Sequence, residues 1–305
     1  IMPINCESLS QPSTPTYLPG RVPSHPQNTP LTPIDFSGNT VIVTGGNRGI
    51  GRAISETLAK ASANVAIIYH SAKDAEEVAA QIAKEHGVKV QAWKCDVGNP
   101  ELVKKVFKEI DETFGPVTGL VANAGVSVVK DALEMKKEDF SFVCESMRRS
   151  TISVKKKNSD VGTDDVNVWG QFACAQAVAD LWVKSGFKKG SIVLTSSMSS
   201  QIVNKGIHQV FYNSSKAAAS SIVKQLAVEW ADHGIRVNAL CPVTSRLTKR
   251  TCADTFAGSD THPSAHMDPK LLEWQKKELV PLGRFSQPEE QAYLTLLLLD
   301  PVMGA

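Results

Sequence analysis

"TVIVTGGNRGIGRAISETLAKAS", residues 40–62, runs a short β-branched stretch through a glycine-rich turn directly into a helical pattern. That order is what a dinucleotide-binding turn requires: a strand, then glycines, then a helix N-terminus. Gly45 can turn tightly, and Gly49 and Gly51 let backbone approach a pyrophosphate and the helix approach the sheet. The helix start offers unpaired N–H groups and partial positive charge to phosphate. Asn47, Arg48 and Ile50 complete the loop residues expected at a cofactor. No Gly-Lys-Ser/Thr follows, so the turn is not a P-loop. The competing reading is a glycine-bearing strand-to-helix loop without a ligand. The agreement of strand, loop and helix argues against it.

Beyond this unit, strand and helix patterns alternate. "NVAIIYH" (64–70), "KVQAWKCDV" (89–97), "GLVANAG" (119–125), "SIVLTSS" (191–197) and "RVNALCP" (236–242) read as five further strands. "AKDAEEVAAQIAKEHG" (72–87) is a helix stopped by Gly87, and "NPELVKKVFKEIDETFG" (99–115) is one capped by Asn99 with Pro100 in its first turn. Such alternation implies parallel strands joined by right-handed crossovers. The expected fold is α/β, a Rossmann-like doubly wound parallel sheet in a single domain over residues 35–305. Residues 1–34, rich in Pro, Ser and Thr, read as a disordered tail without the apolar core of a secretory signal.

Charge argues for the cofactor. An NAD site usually carries Asp or Glu at the end of the second strand to bond the ribose 2′-hydroxyl. Here that end reads Tyr69–His70–Ser71, and the first acid is Asp74. Arg48 can pair with a 2′-phosphate, and Ser71 can add a hydrogen bond. NADP is therefore expected.

In "YNSSKAAASSIVKQLAVEWADHG" (212–234), helical periodicity puts Tyr212 and Lys216 at i and i+4 on one face. A tyrosine near its ordinary pKa of about 10 is a weak base, but an adjacent ammonium favours phenolate. Tyr212 can then exchange a proton with a hydroxyl while hydride moves to or from a nicotinamide. Alone, a Tyr and Lys at this spacing are weak evidence. After a dinucleotide turn and a serine-rich strand end they form a catalytic set.

These motifs, in this order, resemble the short-chain dehydrogenase/reductases: "TGGNRGIG" (44–51), "CDV" (95–97), "NAG" (123–125), "NVWG" (167–170), the serine-rich strand end and "YNSSK" (212–216). The resemblance covers residues 36–300. It implies that Tyr212 is the acid/base and that Lys216 tunes it and binds the nicotinamide ribose. It also implies that Asn167 holds a water in a proton relay and that a serine holds the substrate oxygen. Ser196, Ser197, Ser199 and Ser200 are candidates for that serine. The family's usual spacing of thirteen positions selects Ser199, and the second serine of the strand-end pair selects Ser197. Ser197 is favoured, because "SSMSS" looks like the fungal mannitol dehydrogenase subgroup. Asp96, with Val97 beside it, would bond the adenine. Asn123 belongs to the cofactor residues but would mainly brace the central strands. The subgroup implies an NADP-dependent enzyme that interconverts a sugar alcohol and its ketose, of the mannitol/fructose or sorbose type, as a homo-oligomer. The rival readings are a non-catalytic dinucleotide-binding protein and an inactive product of a gene whose correct product is the enzyme.

Composition sets the outer bounds. A net charge of +2 over 305 residues gives no pointer to nucleic acid. The longest apolar run, "AYLTLLLL" (292–299), is too short to span a membrane. Six cysteines lie scattered without metal-ligand spacing, as in a reduced cytoplasmic protein, and no metal is expected. Three regions depart from the family: the polar stretches near 144–164 and 243–266, and the end at "LLLLDPVMGA" (296–305), ahead of the family's seventh strand. The two polar stretches have the aperiodic character of translated intron sequence.

Overall fold

Thr40–Thr44 (β1) is five residues long, and every one is buried. A strand whose two faces are both covered reads as a near-continuous apolar run, which is how "TVIVT" reads. The computed structural model describes residues 34–144, 166–242, 270, 273–274 and 284–300. The expected tail, the bulk of both polar stretches and the final residues therefore lie outside the described residues.

Five more strands join β1: Asn64–Tyr69 (β2), Val90–Lys94 (β3), Val117–Ala122 (β4), Ser191–Thr195 (β5) and Arg236–Leu240 (β6). Among the described residues they form one sheet in the order β3-β2-β1-β4-β5-β6. All pairs are parallel, with Val43 opposite Ile67 on one side and Val121 on the other. The direction of winding reverses between β1 and β4, which opens a crevice at their carboxyl ends. Each strand lies where the sequence pattern puts it. β4 stops at Ala122, ahead of Asn123–Gly125, because Asn123 N and Ala124 N both donate to Thr44 Oγ1, at 2.9 and 2.9 Å. That pair of bonds turns the chain toward the crevice.

Among the described residues the sheet is flanked by the helices Gly49–Lys60 (α1), Ala75–His86 (α2), Pro100–Phe114 (α3), Lys137–Cys144 (α4), Gln171–Ser185 (α5), Val210–Glu229 (α6) and Pro288–Leu299 (α7). Alternation along each strand divides the core in two. Ile42, Leu120 and Ile192 pack with Phe107 of α3 and Trp182 of α5, and Val41, Val43 and Val193 pack with Ile54 of α1 and Leu296 of α7. Asn99 caps α3 as expected, with its Oδ1 accepting from Leu102 N at 3.1 Å and Pro100 following it.

Helix α7 is tied to the sheet at its carboxyl end. The Arg236 guanidinium donates to the carbonyl oxygens of Leu298 at 3.0 Å, Leu299 at 3.3 Å and Asp300 at 2.8 Å. A cation suits the negative end of a helix, and these carbonyls lack intrahelical partners. Arg236→Met should lower unfolding free energy by about 2–3 kcal/mol. Urea unfolding checks this: the midpoint falls and the slope is unchanged.

Candidate active site

The glycine turn packs so closely on the chain around it that a side chain at Gly46 or Gly51 has no room. A Cβ on Gly51 would strike the carbonyl oxygen of Gly45 and stand 2.6 Å from Asn123 Nδ2. A Cβ on Gly46 would stand 2.8 Å from Ser55 Oγ and 2.9 Å from Val43 O. Ser55, buried in α1, fixes the turn from below by donating to Gly46 O at 3.1 Å and Gly51 O at 3.0 Å. Ser55 is not apparent from the motif, although a small hydroxyl residue four places after Gly51 on the helix's buried face is its signal. The first turn of α1 carries no acidic side chain, which suits an anion at the helix start. Asn47 is buried in the turn, and Ile50 is half-buried against the core on the α1 side.

Arg48 caps α1 and is half-buried. Burial pushes its guanidinium down from the ordinary value, while the charge of Asp74 pushes it up. Asp74 occupies the N-cap of α2 yet makes no side-chain cap bond there. Ser71 is exposed at the end of β2. Asp96, just past β3, is half-buried and accepts from Gly98 N at 3.0 Å. The Val97 side chain belongs to the core, so its backbone is what it can offer a ligand. Beside them burial, then Asp96, pushes the Cys95 thiol up to about 12, which makes it inert.

Asn123 does brace the centre. Its Nδ2 donates to Thr44 O at 3.1 Å, and its Oδ1 accepts from Thr195 Oγ1 at 3.4 Å, so it ties the ends of β1 and β5 across β4. Thr195 in turn anchors the lysine: Lys216 Nζ donates to Thr195 O at 2.7 Å. Lys216 is only 3 % exposed. Burial pushes its ammonium down to about 8. Gly125 packs beside it: a Cβ there would stand 3.5 Å from Nζ and 3.2 Å from Asn167 Oδ1. Along the same face of α6, Nζ lies 5.8 Å from the centroid of the Tyr212 ring. Burial pushes the Tyr212 phenol up, and a hydrogen bond with the Ser197 side chain pulls it back in part.

That bond separates the four serines. Ser196 turns inward, donating to Lys216 O at 2.8 Å and sharing a 2.7 Å hydrogen bond with Ser220 Oγ. Ser199 Oγ accepts from Asn204 Nδ2 at 2.7 Å and Gln209 Nε2 at 3.4 Å. Ser200 Oγ donates back to Ser197 O at 2.7 Å. The tight 3₁₀ turn Met198–Ser200 explains the split, because it gives each later serine a different direction after Ser197 has capped it.

Asn167 sits in a π-helical turn, Val166–Gly170, that leads into α5. Such turns widen a helix locally and often accompany functional positions. Its fully buried carboxamide donates to Val126 O at 2.7 Å and Ser215 Oγ at 3.1 Å and accepts from Val126 N at 2.7 Å. The side chain is thus a clamp that locks the loop after Gly125 against α6. Gln171, at the start of α5, also reaches the centre, with Nε2 donating to Thr195 O at 3.0 Å. Neither Gln171 nor the Thr195 carbonyl carries a motif signal. The glycine turn, Asn123 and the Lys216–Tyr212–Ser197 group all stand at the carboxyl ends of the strands. No group of three His, Cys, Asp or Glu side chains among the described residues is placed to hold a metal ion.

Similarity to known proteins points to a family. Residues 39–253 match the short chain dehydrogenase family. A sorbose reductase of Candida albicans is 37% identical over 281 residues, covering 92% of this chain and 87% of that one. An NADP-dependent mannitol dehydrogenase of Alternaria alternata is 35% identical, covering 72% of this chain and 75% of its own. Among solved structures, an NADPH-dependent 3-quinuclidinone reductase of Rhodotorula rubra superposes with a TM-score of 0.71 at 28% identity, covering 92% of this chain and 93% of that one. Motif order, sheet topology and these matches agree: the chain belongs to the short-chain dehydrogenase family and is an oxidoreductase.

Proposed function

We propose that the protein is an NADP(H)-dependent oxidoreductase that interconverts a sugar alcohol and its ketose. The observation that carries this reading is the Tyr212 phenol bonded to Ser197 with the Lys216 ammonium beside its ring. The names of its relatives, a sorbose reductase and a mannitol dehydrogenase, supply the substrate class.

When bound, the nicotinamide cofactor supplies or accepts the hydride. The glycine turn at 45–51 would hold its pyrophosphate, Asp96 and the Val97 backbone its adenine, and Arg48 with Ser71 its 2′-phosphate. Lys216 would hold the nicotinamide ribose. The rest is done by the chain's own groups. Ser197 Oγ and the Tyr212 hydroxyl lie within hydrogen-bond reach of each other, so a substrate oxygen beside them would accept from both. In the reducing direction Tyr212 gives its proton to that oxygen as negative charge develops there, and in the oxidising direction it takes the proton away. The charge of Lys216 stabilises the phenolate left behind. Asn167 keeps the loop at Val126 closed on α6, which holds Lys216 and Tyr212 in register.

The preference for NADP rests on the absence of an acid in Tyr69–His70–Ser71 and on the half-buried Arg48 in the turn. Titrating cofactor fluorescence should give saturable binding that favours NADPH over NADH, followed by NADPH-dependent reduction of fructose or sorbose. Arg48→Met should weaken NADPH binding by roughly tenfold or more and leave NADH binding nearly unchanged. Equal losses for both cofactors would show that Arg48 does not read the 2′-phosphate.

A further inference from the structure

The Thr195 carbonyl oxygen accepts two hydrogen bonds, from Lys216 Nζ at 2.7 Å and from Gln171 Nε2 at 3.0 Å. All three residues are buried: Gln171 is 2 % exposed, Lys216 3 % and Thr195 7 %. Gln171 Oε1 has no protein partner. A side chain that buries one unsatisfied polar atom is not there for packing, since methionine would fill the same space without it. What the glutamine supplies that methionine cannot is the Nε2 donor, and that donor is aimed at the lysine's anchor.

We propose that Gln171 is a positioning residue for the reaction: its Nε2 shares the Thr195 carbonyl with Lys216 and thereby sets how firmly the ammonium is anchored beside Tyr212. A carbonyl oxygen already bonded to one donor holds a second less strongly, and the amide N–H presents positive partial charge toward the neighbouring ammonium. Both effects loosen Lys216 and disfavour its charged form. Burial works in the same direction, having brought the lysine down to about 8. Among the described residues the titratable groups that face Lys216 are Tyr212 on its own helix and Cys241 at the end of β6. The other described elements packed around it present neutral groups: Thr195 from β5, Gln171 from α5, Gly125 from the loop after β4 and Asn167 from the π-helical turn before α5. Among the described residues no carboxylate is among the charges that shift Lys216, so none masks a change made at Gln171. The inference rests on the reading of Lys216 as the lysine that binds cofactor and tunes Tyr212.

The test is the pH dependence of NADPH affinity. In the unaltered chain, affinity should fall as pH rises through about 8, where Lys216 loses its charge. Lys216→Met should abolish that limb, and Cys241→Ser should leave it in place, which assigns the limb before Gln171 is touched. A limb that survives Lys216→Met overturns the reading of Lys216 itself, and that failure is distinct from a failure at Gln171. Gln171→Met removes the competing donor, so the limb should move upward by about one pH unit, one hydrogen bond's worth of preference for the charged form. Gln171→Glu is nearly isosteric and places an acceptor near the ammonium, so it should move the limb further up. A purely structural glutamine would lower the melting temperature in both variants and leave the limb where it was, and that result would overturn the proposal.

Discussion

Tyr212→Phe should cut ketose reduction by about 10²–10⁴-fold and leave NADPH affinity nearly unchanged. The substitution removes one oxygen from a face of α6 and keeps the ring against Lys216, so neither the helix nor the glycine turn has cause to move. The direction of the Tyr212 shift sharpens the expectation. Burial holds the phenol above its ordinary value, partly opposed by the Ser197 bond. A phenol held that way is protonated at neutral pH and is ready to donate, which suits reduction. The reverse reaction needs phenolate, so polyol oxidation should rise with pH where reduction does not. Ser197→Ala should lower turnover by roughly 10–10³-fold by removing the second donor to the substrate oxygen, whereas Ser199→Ala should change it little. Steady-state kinetics with both single variants separate these outcomes. Comparable losses from Ser199→Ala would return the role to the serine chosen by the thirteen-residue spacing. Turnover that survives Tyr212→Phe would remove Tyr212 from the mechanism.

The contrast between those two serines shows what spacing can and cannot convey. The central strands are legible because both faces of the sheet are covered there, which leaves "TVIVT" apolar or β-branched throughout and "SIVLT" so after its first residue. The glycine turn is legible because its function is a backbone property that only glycine satisfies at close quarters. Tyr212 and Lys216 are legible because one helical turn fixes their common face. The serine cannot be chosen that way. It lies where a strand gives way to a 3₁₀ turn, and the direction of each hydroxyl depends on Asn204, Gln209 and Ser220, residues whose contribution no motif announces. Asn167 is found by motif, but the partners of its side chain are not. The carboxamide grips both backbone atoms of Val126 and the hydroxyl of Ser215, long-range partners that the motif does not name. Gln171 and Thr195 are invisible for a plainer reason: their meeting joins positions 24 residues apart through a main-chain oxygen, and sequence does not write backbone acceptors.

Gly51→Ala should abolish measurable NADPH binding, with affinity falling by roughly 10²-fold or more, while the chain loses about 1–3 kcal/mol of stability to overpacking. The added methyl would meet the Gly45 carbonyl and come 2.6 Å from Asn123 Nδ2. Backbone cannot swing aside as the tip of a side chain can, so the turn must open. Opening it strains the Asn123 Nδ2 bond to Thr44 O at 3.1 Å and the Ser55 Oγ bond to Gly51 O at 3.0 Å. Binding should suffer far more than folding, because the sheet closes behind the turn whereas the phosphate cradle is the turn. Gly87→Ala is the matched control. Gly87 ends α2 at φ +70° with open space where a Cβ would go, so alanine there should cost about 1 kcal/mol through backbone strain alone. Both variants should unfold earlier in urea by similar amounts, yet only Gly51→Ala should lose the cofactor. If Gly51→Ala still binds NADPH with near-normal affinity, the pyrophosphate does not lie on this turn. The helix N-terminus behind it would then serve packing alone.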